Sequence, residues 1–149
     1  MKEQFVGTWQ MEAFEVNFLD GETLYPYGRE PQGRLMYDGL GNMAVQIMRP
    51  GIAPFAVYDR WMGTPEEVRA AFHGYLAYYG SYTVNIEEKT VSHHMSGSVF
   101  PNYIGDTSVR SFEFSGERLT LSTPPMPFGG AEGTARLIWV RSSECCVNK

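Results

Sequence analysis

Two short motifs at opposite ends of this 149-residue chain limit its fold more than any other feature. Gly7-Thr8-Trp9 opens the first segment of alternating residues, and Leu137-Ile138-Trp139-Val140-Arg141 ends the last one. A planar guanidinium that packs on an indole ring gains a cation–π contact and keeps N–H donors for nearby carbonyl oxygens. An Arg on the last strand of an all-β chain can make this contact with a Trp on the first.

Alternation of apolar and polar residues predicts that most of the chain forms strands. They are expected at 5–18, 33–38, 42–49, 81–87, 90–99, 107–114, 118–123 and 134–141. One helix interrupts them, because Thr64-Pro65-Glu66-Glu67 is a capping box with Pro at the first helical position. Helical spacing of apolar residues predicts that this helix covers 64–77 and ends before Gly80. About eight strands are enough to close a small barrel.

Further stretches of the chain carry a resemblance to a known family. With the two end motifs, they are Tyr25-Pro26-Tyr27-Gly28, Gly33-Arg34-Leu35-Met36-Tyr37, 43–50, 64–67, 74–82, Ser92-His93-His94, Phe100-Pro101-Asn102 and 119–125. Over residues 5–141 the chain resembles the lipocalin-like single-domain proteins of bacteria and fungi. The resemblance implies an all-β, antiparallel barrel of about eight strands with one helix and a central cavity. It also implies that Trp9 plugs one end, with Arg141 packed across its ring. We expect the barrel to span 1–141, followed by a disordered tail at 142–149.

A barrel that is plugged at one end leaves a cup at the other, and such cups bind small apolar ligands. The family implies no single chemistry. Some members resemble tailoring proteins of natural-product pathways, whose cavities template cyclisations and isomerisations. Aromatic residues make up 14% of the chain, which suits a cavity lining and an aromatic-rich β core equally well.

Charge and composition argue against several other classes of protein. The formal net charge is −5 and Lys and Arg form no run, so no nucleic-acid partner is expected. No stretch has the length of a transmembrane segment, and no apolar leader precedes the first strand. We therefore expect a cytoplasmic protein without a membrane partner. Cys145 and Cys146 are adjacent, so no disulfide is expected within the barrel.

His93-His94 is the sharpest candidate for chemistry. Neighbouring residues on a strand point to opposite faces, and the apolar Val91 and Met95 share the face of His93. His93 is therefore predicted to enter the cavity, either as a general acid or base or as an inert histidine bonded to the backbone. Two diverging histidines cannot chelate one ion and only His73 remains elsewhere, so no metal site is expected.

Other polar residues complete the candidate site. Arg49 and Arg110 lie on otherwise apolar strands, where each needs an acceptor. That acceptor is either Glu15, which shares the predicted strand face of Trp9, or an oxygen of a bound ligand. The remaining polar candidates for the cavity wall are Tyr37, Gln46, Tyr82 and Tyr103.

The leading hypothesis from the sequence is an enzyme without a cofactor, since neither a dinucleotide nor a phosphate-binding motif is present. It would hold a small aromatic or polyketide-like molecule and catalyse a cyclisation, isomerisation or dehydration. His93 would move the proton, with His94 or Tyr82 as its substitute, and Arg110 would contact a substrate oxygen. One alternative is a non-catalytic intracellular carrier, and another is a protein that associates, as in a homo-oligomer, through the aromatic segment 51–63. A polar cluster on the cavity wall would favour the enzyme.

Overall fold

The computed structural model describes residues 2–143, in which ten strands form one antiparallel sheet. The strands are β1 (Gly7–Phe18), β2 (Thr23–Leu24), β3 (Gln32–Tyr37), β4 (Asn42–Met48), β5 (Tyr75–Asn85), β6 (Thr90–Ser98), β7 (Thr107–Ser115), β8 (Arg118–Ser122), β9 (Met126–Phe128) and β10 (Ala131–Arg141). The helix α1 (Pro65–His73) separates β4 from β5, and short 3₁₀ helices lie at Lys2–Gln4, Arg60–Met62 and Pro101–Tyr103. No helix in this part of the chain is long and apolar enough to cross a membrane. Of the tail predicted at 142–149, the segment 144–149 lies outside the described residues.

The sheet closes on itself as a barrel. Its strands follow the order β1-β3-β4-β5-β6-β7-β8-β10, and β10 returns to pair with β1. The short strands β2 and β9 extend β1 and β10 at the far end of the barrel. Closure removes the unpaired edges of the sheet and turns one face of every strand toward a common interior. The predicted antiparallel barrel of about eight strands with one helix is confirmed.

Trp9 plugs one end of this barrel. Its side chain is fully buried, and its indole Nε1 donates to the carbonyl oxygen of Phe5 at 2.9 Å. Arg141 faces Trp9 across β1 and β10, with its guanidinium carbon 4.2 Å from the ring centroid. The same guanidinium donates to the carbonyl oxygen of Val6 at 2.9 Å. The contact therefore also ties the segment before β1 to the last strand.

A bulge in β1 changes which residues face the interior. The sequence predicts that Trp9 and Glu15 share a face, but the register of β1 against β10 shifts between Met11 and Ala13. One extra residue reverses the alternation beyond that point. Phe14 is buried as a result, and Glu15 lies on the outer face. The prediction that Glu15 points into the cavity is wrong for this reason.

The helix is shorter than predicted. It ends at His73, and the N–H of Gly74 donates to the carbonyl oxygen of Ala70 at 3.0 Å. The residues from Tyr75 to Tyr79 pair with β4 instead of continuing the helix, as their aromatic character favours. Residue Tyr78 is thereby placed on the barrel wall, where only 4% of it is exposed.

The N-terminus of α1 carries the predicted capping box. Thr64 Oγ1 accepts from the N–H of Glu67 at 3.2 Å, and Glu67 Oε1 accepts from the N–H of Thr64 at 2.9 Å. We expect Thr64→Ala to lower the free energy of unfolding by about 1 kcal/mol through loss of the cap. Urea unfolding measures this loss, and ligand affinity should not change. An unchanged midpoint would show that the cap does not stabilise the fold.

Candidate ligand-binding site

A cavity of about 270 Å³ lies inside the barrel. Its walls are mostly apolar side chains that face inward from the strands, among them Phe14, Leu35, Val45, Ile47, Leu121 and Leu137. Ordinary pockets for small molecules have volumes of about 300–1,000 Å³. The cavity therefore suits a ligand at the small end of that range.

Other segments of the chain contribute to the cavity lining. Pro26 and Tyr27 come from the loop before β3, Tyr103 comes from the third 3₁₀ helix, and Met126 to Gly129 come from β9 and its turn. The segment 51–63 contributes no residue to the lining of this cavity. Its Trp61 is 87% exposed, and association through this segment stays a prediction.

His93 is the centre of a polar cluster on the cavity wall. Its side chain is 1% exposed, and its predicted inward orientation is confirmed. The Tyr37 hydroxyl oxygen lies 2.6 Å from Nε2, and the Tyr78 hydroxyl oxygen lies 2.7 Å from Nδ1. Both ring nitrogens are therefore occupied. His93 and Tyr78 line the cavity. Tyr37 contacts His93 from the side away from the cavity and is not one of its lining residues.

Burial determines the charge of this cluster. Desolvation, followed by the charges of Arg110 and His94, holds the pKa of His93 well below its usual value. Desolvation likewise raises the pKa of Tyr78 and of Tyr37. At neutral pH the imidazole and both phenols are therefore uncharged. A neutral imidazole with two occupied nitrogens has no free site from which to exchange a proton with a ligand.

Arg110 brings a positive charge to the cavity wall. It is half-buried, and its Nε donates to the hydroxyl of Ser108 at 3.2 Å. The expected partner Glu15 instead pairs with Arg136 Nη1 at 3.1 Å on the outer face. Among residues 2–143, Arg110 forms no salt bridge with a carboxylate. From the sequence, the acceptor for Arg110 is either Glu15 or a ligand oxygen. Because Glu15 pairs with Arg136, the ligand oxygen is the one that remains.

Two predicted catalytic residues lie outside the cavity. His94 is on the outer face, with its ring nitrogens 3.1 Å from Thr83 Oγ1 and 3.0 Å from Thr107 Oγ1. The Tyr82 side chain is buried, but its hydroxyl donates to the backbone carbonyl of Asp38 at 2.7 Å and does not line the cavity. His94 and Tyr82 are therefore wrong predictions for the ligand site.

Two predicted ligand-binding residues also lie elsewhere. Gln46 is on the outer face of β4, because the alternation of that strand turns Val45 and Ile47 inward. Arg49 donates through Nη2 to the carbonyl oxygen of Pro26 at 2.8 Å and does not line the cavity. In the described part of the chain, no three His, Cys, Asp or Glu residues form a group that could hold a metal ion.

Tyr78 and Trp139 are among the residues of the cavity wall that the sequence prediction does not include. Spacing predicts a helix that ends just before Gly80, whereas Gly74 is the signal that the helix ends earlier and that Tyr78 lies on a strand. Trp139 lines the cavity and is 1% exposed. Its indole Nε1 is buried and has no hydrogen-bond partner among residues 2–143. The motif at the end of the chain contains this Trp, but no sequence pattern indicates that its donor is unpaired.

Comparisons with known proteins agree with this architecture. Residues 6–142 match the family described as the lipocalin-like domain. The chain is 38% identical over 104 residues to a 4'-hydroxy-3'-methoxypropiophenone carrier protein of Aspergillus oryzae (strain ATCC 42149 / RIB 40). That alignment covers 65% of this chain and 94% of the relative. No solved structure matches the chain.

Proposed function

The chain belongs to the lipocalin-like family, and from that premise we propose that it binds and carries one small aromatic molecule inside its barrel. The observation that carries the proposal is the cavity of about 270 Å³, with apolar walls and a polar cluster around His93. Apolar walls remove an aromatic ring from water, and a few fixed polar groups orient its oxygen atoms.

The size and lining of the cavity favour a particular class of ligand. The relative from Aspergillus oryzae is named for a one-ring aryl ketone with a hydroxyl and a methoxy group. A molecule of this kind has one flat apolar face and a few oxygen atoms at its edge. Such a shape suits a small cavity whose donors lie on the wall, and it suits this cavity better than an extended multi-ring polyketide.

The geometry of His93 favours carriage over catalysis. A polar cluster is present on the wall, but a general acid or base must reach the ligand with an available proton or lone pair. Both ring nitrogens of His93 are held by tyrosines, at 2.6 Å and 2.7 Å, and burial lowers its pKa. The groups left to contact a ligand are hydrogen-bond donors, which are sufficient for binding.

A second candidate function is the cofactor-independent cyclisation, isomerisation or dehydration expected from the sequence. The chain of contacts from Tyr78 through His93 to Tyr37 favours it, since such a chain can move a proton along its length. Incubation of an aryl ketone with the protein in D₂O tests it, with deuterium at the α-carbon measured by mass spectrometry. We expect exchange no faster than in buffer. Acceleration that Tyr78→Phe abolishes would favour the enzyme.

Binding inside the barrel is tested by filling the cavity. Ala135 lines the cavity and is 1% exposed, so a leucine at this position takes up ligand space. We expect Ala135→Leu to weaken binding of 4'-hydroxy-3'-methoxypropiophenone about tenfold or more, because steric overlap costs about 1–3 kcal/mol. Isothermal titration calorimetry measures the affinity. The control Ala44→Leu adds the same side chain on the outer face of β4 and should bind as the wild type does. Equal affinities for all three proteins would contradict binding in the cavity.

A further inference from the structure

The contacts around His93 determine which way the Tyr78 hydroxyl points. A neutral imidazole has one N–H and each tyrosine has one O–H, so three hydrogens are shared between two hydrogen bonds. If Tyr78 donated to Nδ1, Nε2–H would donate to Tyr37 and leave the hydrogen of Tyr37 without an acceptor. Tyr37 is 2% exposed, and within residues 2–143 its hydroxyl bonds to His93 alone.

A buried donor without an acceptor is costly, so this arrangement is disfavoured. Tyr37 therefore donates to Nε2, and the Nδ1–H of His93 donates to the oxygen of Tyr78. The hydrogen of the Tyr78 hydroxyl is then free, and Tyr78 is a residue of the cavity wall. His93 and Tyr37 are positioning residues in this arrangement, because they make Tyr78 a donor toward a ligand.

Arg110 adds a second donor to the same wall, and its guanidinium has no carboxylate partner among residues 2–143. The described residues that line the cavity include neither Asp nor Glu. Tyr78 and Arg110 thus give the wall hydrogen-bond donors and one positive charge, and no lining carboxylate in the described chain balances that charge.

We propose that the cavity binds its aromatic ligand as a phenolate, whose oxygen accepts from Tyr78 and Arg110. This inference rests on the proposed function and specifies the ligand class. Donors that converge on an ionised oxygen stabilise the charged form and lower its pKa. A neutral phenol that enters the cavity loses its proton to solvent, and no other bond changes.

Within the described chain, five ionisable residues line the cavity and could change charge when a phenol binds. They are Tyr27, Tyr78, Tyr103, His93 and Arg110. Burial raises the pKa of Tyr27 to about 12 and also raises that of Tyr78, while it lowers that of His93. These three groups stay neutral at pH 6 to 8, so they do not compete with a bound phenol for a change of charge.

Two probes of similar shape test the inference. 4'-Hydroxyacetophenone can form a phenolate, which absorbs at longer wavelength than the phenol, whereas 4'-methoxyacetophenone cannot ionise. At pH 6 we expect the bound hydroxy probe to show the phenolate band and to bind about tenfold or more tightly than the methoxy probe. Calorimetry in buffers of different ionisation enthalpy should record release of one proton per bound hydroxy probe.

Variants separate the charge from the fold. Arg110→Gln should remove the phenolate band and weaken the hydroxy probe about tenfold or more, while the methoxy probe still binds. Arg34→Gln, on the exposed outer face of β3, is the control and should keep the band. If both probes bind equally and the hydroxy probe stays a phenol, the inference is overturned and the proposed function stands. If neither probe binds, both fail.

Discussion

Replacement of Trp9 by alanine is expected to lower the free energy of unfolding by about 3–5 kcal/mol, as truncation of a large buried aromatic does. Trp9 is fully buried at the closed end of the barrel. Its loss removes the hydrogen bond to the Phe5 carbonyl and the surface on which Arg141 packs at 4.2 Å. The effect should therefore exceed that of any surface substitution, and chemical denaturation measures it.

Trp61→Ala provides the matched control for this prediction. The same residue type is lost, but Trp61 is 87% exposed in the segment before α1. We expect a change within about 0.5 kcal/mol there, as for most surface substitutions. Similar losses for Trp9→Ala and Trp61→Ala would show that the barrel is not closed by Trp9.

The second large effect is expected at His93. His93→Ala removes the partner of two buried tyrosine hydroxyls, at 2.6 Å and 2.7 Å, and leaves a void where the ring was. Each unpaired buried group costs about 1–3 kcal/mol, so we expect a loss of about 2–5 kcal/mol. The two lost hydrogen bonds are the reason for this expected loss. His94→Ala on the outer face is the control, with an effect below about 1 kcal/mol.

His93 also gives the stability a defined pH dependence. Its pKa lies below the ordinary value of 6.5 because burial disfavours the imidazolium. Above pH 6.5 the imidazole is neutral in both states. As the pH falls below 6.5, the unfolded chain binds a proton that the folded protein does not, so stability falls by up to about 1.4 kcal/mol per pH unit.

This slope can be separated from the effects of carboxylates. Glu12, whose pKa is lowered first by its hydrogen bond with Arg118, contributes stability that is lost only as the pH falls below its ordinary value of 4.5. Between pH 4.5 and 6.5 the slope therefore reports His93. Unfolding of wild type and His93→Ala across this range should show the slope in the wild type alone. Parallel profiles would mean that His93 titrates normally in the folded protein.

Regular strand geometry is the part of this protein that its sequence predicts well. The orientation of His93 follows from alternation, because β6 pairs regularly with β5 from Thr90 to Met95. The same rule fails for Glu15, because a bulge between Met11 and Ala13 inserts one residue into β1. A bulge of this kind depends on how two distant strands meet, and no local pattern specifies it.

The candidate site is harder to predict because its contacts join distant segments. Helical spacing predicts a helix that ends just before Gly80, whereas pairing with β4 determines that Tyr78 lies on a strand. The unpaired donor of Trp139 is defined by the absence of an acceptor among the residues around it in the described structure. Such an absence becomes visible only when the barrel is closed. The sequence therefore indicates a cavity, but not which donors face it.

A crystal structure of the protein grown with 4'-hydroxy-3'-methoxypropiophenone tests the central claim most directly. We expect one molecule inside the barrel, its ring between the apolar walls and an oxygen within hydrogen-bond distance of Tyr78 or Arg110, both of which line the cavity. Crystals of the Ala135→Leu variant, grown at the same ligand concentration, should show weaker density for the molecule in the cavity. Density for the molecule on the outer face of the barrel, with the wild-type cavity empty, would contradict the account.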